Sequence, residues 1–218
     1  MRTNPFLDSL LFLIGYDGDY TQLGHWQYPL IVFFDILVAA NLALLVVNWR
    51  GDPGQRTTRN VYLWITRSLL GAMWFQGSIW KLPLPVSGGF KYWMQQVAGN
   101  AAWPAMVDFY KDALIPHIAI LNIVAYTAET AFAIALMLGF LARPAAVAGM
   151  AYAANIWLGL YHKGSEWPWE YAFLILVLGM IAADAVGRSF GLDALLRRNP
   201  PQLLAERTPL GRVYRAIS

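Results

Sequence analysis

Five long apolar stretches dominate this sequence and leave few folds open to it. They cover about residues 29–49, 61–82, 115–141, 144–162 and 168–187. A helix needs roughly 20 apolar residues to cross a bilayer, because each residue adds about 1.5 Å and the hydrocarbon is about 30 Å thick. Lipid offers no partner for backbone polar groups, which favours helices. The stretches therefore predict an all-α integral membrane protein with five transmembrane helices.

The composition also favours a membrane protein over a soluble domain. Hydrophobic residues make up 58% of the 218 residues and charged residues 13%, whereas an average soluble protein has about 25% charged residues. The formal net charge of +3 could indicate nucleic acid, but the arginines cluster beside apolar stretches. No nucleic-acid partner is expected from that pattern. Because the chain has no cysteine, it can supply no disulfide bond or thiol chemistry of its own.

The basic residues predict the orientation of the helices. With the N-terminus outside, most arginines fall on the cytoplasmic side, as the positive-inside rule requires. The basic residues left on the outer side are Arg2, Lys81, Lys91, Lys111 and Lys163. Residues 1–218 then form one membrane domain with an outer cap at 83–114 and a cytoplasmic basic tail at 188–218. Six helices would require the polar segment 88–114 to cross the membrane, so we expect that segment to form one or two amphipathic helices instead.

Polar side chains inside the apolar stretches are the first candidates for function, because such groups are costly in lipid. Counted at about 1.5 Å per residue from the cytoplasmic end of each helix, four of these side chains lie at a similar depth in the membrane, together with Trp74. The four are Asp35, Gln76, Glu129 and Asn155. We interpret Glu129 as the central acid of a buried site, held by Asn155 across the hairpin between the third and fourth stretches. Alternatively, these groups only hydrogen-bond the helices together.

Two further features bear on function. Arg67 lies close enough to the inner face for its side chain to reach water. The histidines, His25, His117 and His162, fall on the outer side without the i, i+4 spacing of a helical ligand pair. We therefore predict no metal or haem, and we predict no flavin because the sequence has no Gly-rich dinucleotide loop. The aromatic segments 93–103 and 163–169 form an outer rim, which is either an interface anchor or an entrance for a quinone headgroup or an anion.

An ordered set of short motifs from the second stretch onward resembles the DoxX/DoxD family of small membrane proteins. The motifs are Arg67–Gly71, Gly77–Leu82, Glu129, Gly139–Ala145, Asn155, Glu170–Asp184 and Gly187–Leu195. The resemblance implies a four-helix core, to which the helix at 29–49 is an addition. The insertion that carries Trp93 and Trp103 is similar to the DoxD branch, whose members form the membrane subunit of thiosulfate:quinone oxidoreductase.

The resemblance implies a quinone-linked oxidoreductase subunit in the inner membrane of a prokaryote, with membrane lipid and other protein subunits as partners. It implies that Arg67, Lys81 and Glu129 are catalytic. The expected quinone contacts are Trp74, Gln76, Trp80 and Asn155. These side chains suit a quinone because it is an apolar ring with two carbonyl groups that accept hydrogen bonds.

Two other functions stay open. A non-catalytic accessory subunit of a larger respiratory or photosynthetic complex would also need no redox centre, and the sequence has no CxxC, haem or Gly-rich dinucleotide motif. A transporter or channel would be indicated by inverted repeats or several broken helices, and neither is visible. These motifs do not decide whether the chain is an enzyme by itself.

Overall fold

A computed structural model describes residues 4–14, 16 and 18–218, and all regular secondary structure in this part of the chain is helical. This confirms the predicted all-α fold. Arg2, assigned above to the outer side, lies outside the described residues. The helices are α1 (Pro5–Leu13), α2 (Gln27–Gly51), α3 (Thr58–Ile79), α4 (Gly88–Asn100), α5 (Pro104–Asp108), α6 (Ile118–Leu138), α7 (Ala142–Gly159), α8 (Pro168–Asp184), α9 (Leu192–Arg198) and α10 (Pro209–Ile217).

Two helical runs are long and apolar enough, by length and composition, to cross a membrane. They are Leu23–Gly51, of 29 residues, and Pro104–Leu138, of 35 residues. The second run joins α5 to α6 through a π-helical turn, Phe109–Leu114, and a 3-10 turn, Ile115–His117. The stretch predicted at 115–141 is therefore the end of a helical run that begins within the predicted outer cap. Pro116 lies in the 3-10 turn. Because proline has no backbone N–H, this position outside the regular α-helix avoids the loss of a helical hydrogen bond.

The hairpin predicted between the third and fourth stretches is present as α6 and α7. Gly139 ends α6 with φ 62°, a left-handed conformation that glycine adopts without steric cost. The N–H of Phe140 then donates to the carbonyl of Ala135 at 2.9 Å. Pro144 lies in the first turn of α7, where its missing N–H costs nothing.

The core of the bundle forms where α3 packs against α6, and α7 packs against α8. Its largest cluster joins Phe34 of α2, Phe75 of α3, Leu136 of α6 and Leu178 of α8, all buried. The rings of Phe34 and Phe75 lie 4.8 Å apart between centroids. Aromatic and branched side chains thus hold the helices in the register that brings the polar residues together.

The bundle has two chemically different ends. The tryptophan-rich end comprises residues 80–117 and 160–169. The arginine-rich end comprises residues 50–57, the α6–α7 turn and residues 185–218, and here the basic tail is folded rather than extended. Buried Asp193 of α9 accepts the backbone N–H of Leu141 at 3.0 Å and the hydroxyl of Tyr214 at 2.7 Å. Burial, and then the Asp193 carboxylate, raise the pKa of the Tyr214 phenol, which keeps it a hydrogen-bond donor.

Replacing Asp193 with Ala is expected to destabilise the folded protein by about 1–3 kcal/mol, because buried donors at the start of α7 and on Tyr214 lose their acceptor. Thermal unfolding in detergent would measure the change. Asp108→Ala, at an exposed position, is the matched control and should stay within about 0.5 kcal/mol of the parent protein. Equal stability of the Asp193 and Asp108 variants would contradict this role of Asp193.

Candidate functional site: an aromatic cavity around a buried ion pair

A cavity of about 460 Å³ lies between α3, α4, α6 and α7 and reaches the tryptophan-rich end. Its volume is within the range of small-molecule sites, roughly 300–1,000 Å³. The wall is mainly aromatic and aliphatic, with few polar groups. The aromatic lining residues are Trp74, Trp80, Phe90, Trp93, Tyr110, Tyr152 and Tyr171. We call this space the central cavity.

The central cavity holds an ion pair between Lys81 and Glu129. The Lys81 Nζ lies 2.5 Å from the Glu129 Oε2, and the two side chains are only 2% and 5% exposed. The same Nζ donates to the carbonyl of Gly77 at 2.9 Å and lies 3.8 Å from the ring centroid of Trp80. Lys81, predicted as an outer-face residue, is thus buried, because the chain folds back just after α3 and turns its side chain inward.

A tyrosine completes the surroundings of Glu129. The Tyr152 hydroxyl, from α7, faces the Glu129 carboxylate as a hydrogen-bond donor. Asn155 does not hold Glu129 across the hairpin, so that prediction is wrong. Its side-chain oxygen instead accepts the hydroxyl of Tyr110 at 2.9 Å. The reason is geometric: Tyr152 precedes Asn155 by nearly one helical turn, and it is the residue that points at the carboxylate.

Trp74 contributes a buried donor that no described residue accepts. Its side chain is buried, it lines the central cavity, and its indole Nε1 has no hydrogen-bond partner among the described residues. Its ring packs edge-on against Phe132 at 5.3 Å and against Tyr152 at 5.7 Å. A buried N–H without an acceptor is unfavourable. An acceptor atom of a ligand in the cavity would satisfy it.

The central cavity reaches the protein surface beside α6 and α7. Two of its lining residues, Val124 of α6 and Asn155 of α7, are exposed. At the tryptophan-rich end the lining continues to Glu166, whose carboxylate accepts the Tyr171 hydroxyl at 2.8 Å. The Lys163 Nζ lies 5.0 Å from the ring centroid of Trp93 there. The cavity therefore combines a side opening, lined by one apolar and one amide side chain, with a polar end.

Five of the seven predicted site residues line the central cavity. They are Lys81, Glu129, Trp74, Trp80 and Asn155. Gln76 points away from it, and its amide donates to the Tyr20 oxygen at 3.3 Å. Asp35 of the predicted layer is half-buried on α2 and also lies outside the cavity lining. The structure thus brings five predicted residues of the second, third and fourth stretches together in one cavity. Gln76 and Asp35 lie outside it.

Arg67 does not reach water as predicted, because its side chain is completely buried at the end of α6. Its guanidinium donates to the carbonyl of Met137 at 2.6 Å and also to the carbonyl of Leu136. The last carbonyls of a helix lack intrahelical partners and carry the negative end of its dipole, so they attract a cation. Arg67 is not part of the cavity lining, and its contacts are those of a cap on α6.

Sequence reasoning missed three residues of the site. Tyr110 and Tyr152 line the central cavity, and Tyr152 shares a helix face with Asn155. Asn122 is buried and donates to the carbonyls of Lys81 and Pro85 at 2.9 and 3.1 Å. It thereby fixes the turn that carries Lys81. An asparagine inside an apolar stretch was a signal that could have identified it.

The site is a small, mainly apolar cavity that contains a few hydrogen-bond donors. The Lys81 ammonium and the Trp74 indole N–H can bind carbonyl oxygens, and the Glu129 carboxylate can bind or transfer a proton. The three histidines are exposed and do not contribute to the cavity lining.

Comparisons with protein-family models, with curated proteins and with solved structures give no match to this chain.

Proposed function

We propose that this chain crosses a membrane with five helices, α2, α3, the α5–α6 run, α7 and α8, with the N-terminus outside and the basic tail in the cytoplasm. The supporting observation is the apolar side chains that several helices expose on the outside of the bundle. Examples are Val32 and Ile36 on α2, Ile120 and Val124 on α6, and Phe173 and Leu176 on α8. Contiguous exposed apolar surface of this kind would be unfavourable in water and is expected next to lipid.

Within that membrane protein, the proposed function is that of a DoxX/DoxD-like subunit of a quinone-linked oxidoreductase in a prokaryotic inner membrane, with thiosulfate as the candidate electron donor. The observation that carries the proposal is the buried Lys81–Glu129 pair inside an apolar, aromatic cavity that also contains the unused indole N–H of Trp74. Burying two charges is costly and gives a fold little net stability. Such a pair beside a cavity is therefore a candidate functional site.

The residues present fit a quinone. The flat apolar ring suits walls made of Trp74, Trp80 and Phe90, and the carbonyl oxygens suit the donors on Trp74 and Lys81. When bound, a quinone accepts two electrons and two protons to become the quinol, and two thiosulfate ions supply two electrons on forming tetrathionate. An apolar ligand could enter from lipid beside Val124, where the cavity reaches the surface.

The roles of the chain's own groups follow from their positions. Lys81 would orient a carbonyl oxygen and favour negative charge on it, since its ammonium is held beside the cavity by Gly77 and Glu129. Glu129 would exchange protons with that site, and Tyr152 would orient the carboxylate. Lys163 at the polar end would attract an anionic electron donor.

Thiosulfate-dependent quinone reduction tests this function. We expect proteoliposomes with the chain and its co-purifying subunits to reduce a water-soluble quinone. The loss of quinone absorbance would measure the rate. Glu129→Gln should lower the rate by about 100-fold or more, the typical contribution of a positioned acid or base. Glu170→Gln, an exposed carboxylate on α8, is the control and should keep the rate. Equal rates for wild type and Glu129→Gln would contradict a catalytic role of Glu129.

A second candidate is a non-catalytic accessory subunit, favoured by one observation. Lys81 and Glu129 satisfy each other directly at 2.5 Å, as a purely structural pair would. In that case Glu129→Gln should weaken assembly with partner subunits while leaving the turnover of each assembled complex unchanged. Measuring turnover per assembled complex after co-purification separates the two functions.

A further inference from the structure

The C-terminal helix α10 has an apolar face that the rest of the protein leaves uncovered. Its buried face consists of Gly211, which packs against the turn at Leu204 and Ala205, and of Tyr214 and Ser218, which contact the bundle. Beside it, Leu210, Val213 and Ile217 are 56%, 57% and 40% exposed. Their spacing of three and four residues places them on one side of the helix. Leu203, in the turn before α10, is 74% exposed as well.

Contacts with the bundle hold α10 in place at the arginine-rich end. Tyr214 stacks on Phe140 of the α6–α7 turn, with 6.4 Å between ring centroids, and its hydroxyl donates to Asp193. Arg143, in the first turn of α7, donates to the carbonyl of Ala182 at 2.8 Å, near the end of α8. The same guanidinium reaches the carbonyl of Ala216 at 3.5 Å. The helix therefore lies beside the ends of α6, α7 and α8, where these helices would leave the bilayer.

The charges around α10 complement an anionic surface. Arg207 and Arg212 are exposed, whereas Arg215 pairs with Glu206 at 2.8 Å. At 100° per residue, Arg212 lies roughly 130° around the helix from the centre of the apolar face. An apolar face with basic residues on the polar side is typical of helices that lie in the membrane interface. The cytoplasmic leaflet is the anionic one, and it attracts basic segments next to transmembrane helices.

We propose that α10 and Leu203 lie in the cytoplasmic interface of the membrane, with Leu210, Val213 and Ile217 among the acyl chains and Arg207 and Arg212 on anionic phospholipid headgroups. The proposal rests on the membrane position of the bundle but not on its redox function. It commits to lipid as the occupant because the uncovered face is narrow, adjoins the helix ends and carries basic flanks. A cytoplasmic protein on the same face is the competing occupant.

The lack of native cysteine makes a site-specific test possible. The full chain with Val213→Cys or Leu210→Cys is labelled with an environment-sensitive fluorophore and reconstituted in vesicles that contain phosphatidylglycerol. We expect blue-shifted emission, strong quenching by nitroxide-labelled lipid, and several-fold weaker quenching by aqueous iodide than for the control Asn199→Cys, an exposed position to which the proposal assigns no lipid contact. All three positions are exposed, so labelling should not disturb folding.

A second arm varies the lipid charge. In vesicles of phosphatidylcholine alone, or with Arg207→Gln added to Val213→Cys, protection of the probe from iodide should decrease. Equal iodide quenching at positions 199 and 213 in anionic vesicles would overturn the proposal. Protection of position 213 that appears only in native membranes would overturn it too and would point to a protein partner. Protection that does not depend on lipid charge would contradict the headgroup contacts.

Discussion

Removing one partner of the Lys81–Glu129 pair is expected to destabilise the protein by about 3–5 kcal/mol, because the remaining charge stays buried without compensation. Both Lys81→Met and Glu129→Met should show this loss. Both side chains are almost completely buried, so solvent cannot screen the unpaired charge. Unfolding of the purified protein in detergent, followed by tryptophan fluorescence, would measure it.

The double variant Lys81→Met/Glu129→Met is the decisive comparison. Apolar replacements of a buried pair are often neutral or stabilising, so this variant should unfold close to the wild type. The difference between the double variant and the sum of the single variants gives the coupling between the two positions. Additive losses would show that the two groups are not energetically paired. Glu170→Met, with an exposed side chain, should change stability by no more than about 0.5 kcal/mol.

Enlarging Gly71 is expected to have the second large effect, since α3 and α6 approach each other closely there. A Cβ at this position would lie 2.6 Å from the Met137 Cγ, 2.8 Å from its backbone N and 3.1 Å from the Ala133 carbonyl oxygen. Gly71→Ala should therefore force the two helices apart and cost about 1–3 kcal/mol, the typical penalty of overpacking. Thermal unfolding in detergent would measure it.

Gly77 provides the matched control on the same helix. The nearest atom to a Cβ at Gly77 is the Glu129 Oε2 at 4.0 Å, an ordinary contact. Gly77→Ala should therefore leave stability unchanged or raise it by up to about 1 kcal/mol, since alanine favours the helix interior. If Gly71→Ala were as stable as Gly77→Ala, the close approach of α3 and α6 would not be a constraint on the fold.

Hydrophobic length was sufficient to predict that the long apolar stretches are helical, because such a stretch has few other stable arrangements. The short helices α1, α9 and α10 lie outside those stretches. The predicted 61–82 and 144–162 agree with α3 and α7 to within a few residues. The join of α5 to α6 was not predictable in this way. Polar residues such as Asp108 and Lys111 interrupt the apolar pattern there, although the backbone stays helical through Phe109–Leu114.

The members of the candidate site were more predictable than their pairings. Glu129 stands out as a carboxylate within an apolar stretch, and it does line the central cavity. Its partner Lys81 is 48 residues away in sequence, and no spacing rule relates side chains on two different helices. Arg67 illustrates the same limit, since its main partners are backbone carbonyls, which leave no trace in the sequence.

Photoaffinity labelling with an azidoquinone is the most direct test of a quinone site in the central cavity. The full chain in lipid vesicles would be labelled, digested and mapped by mass spectrometry. Crosslinks are expected on cavity-lining residues of α3, α6 and α7, such as Trp74, Val124 and Tyr152, and excess unlabelled quinone should abolish them. Crosslinks confined to other surfaces, or unchanged by unlabelled quinone, would contradict the proposed site.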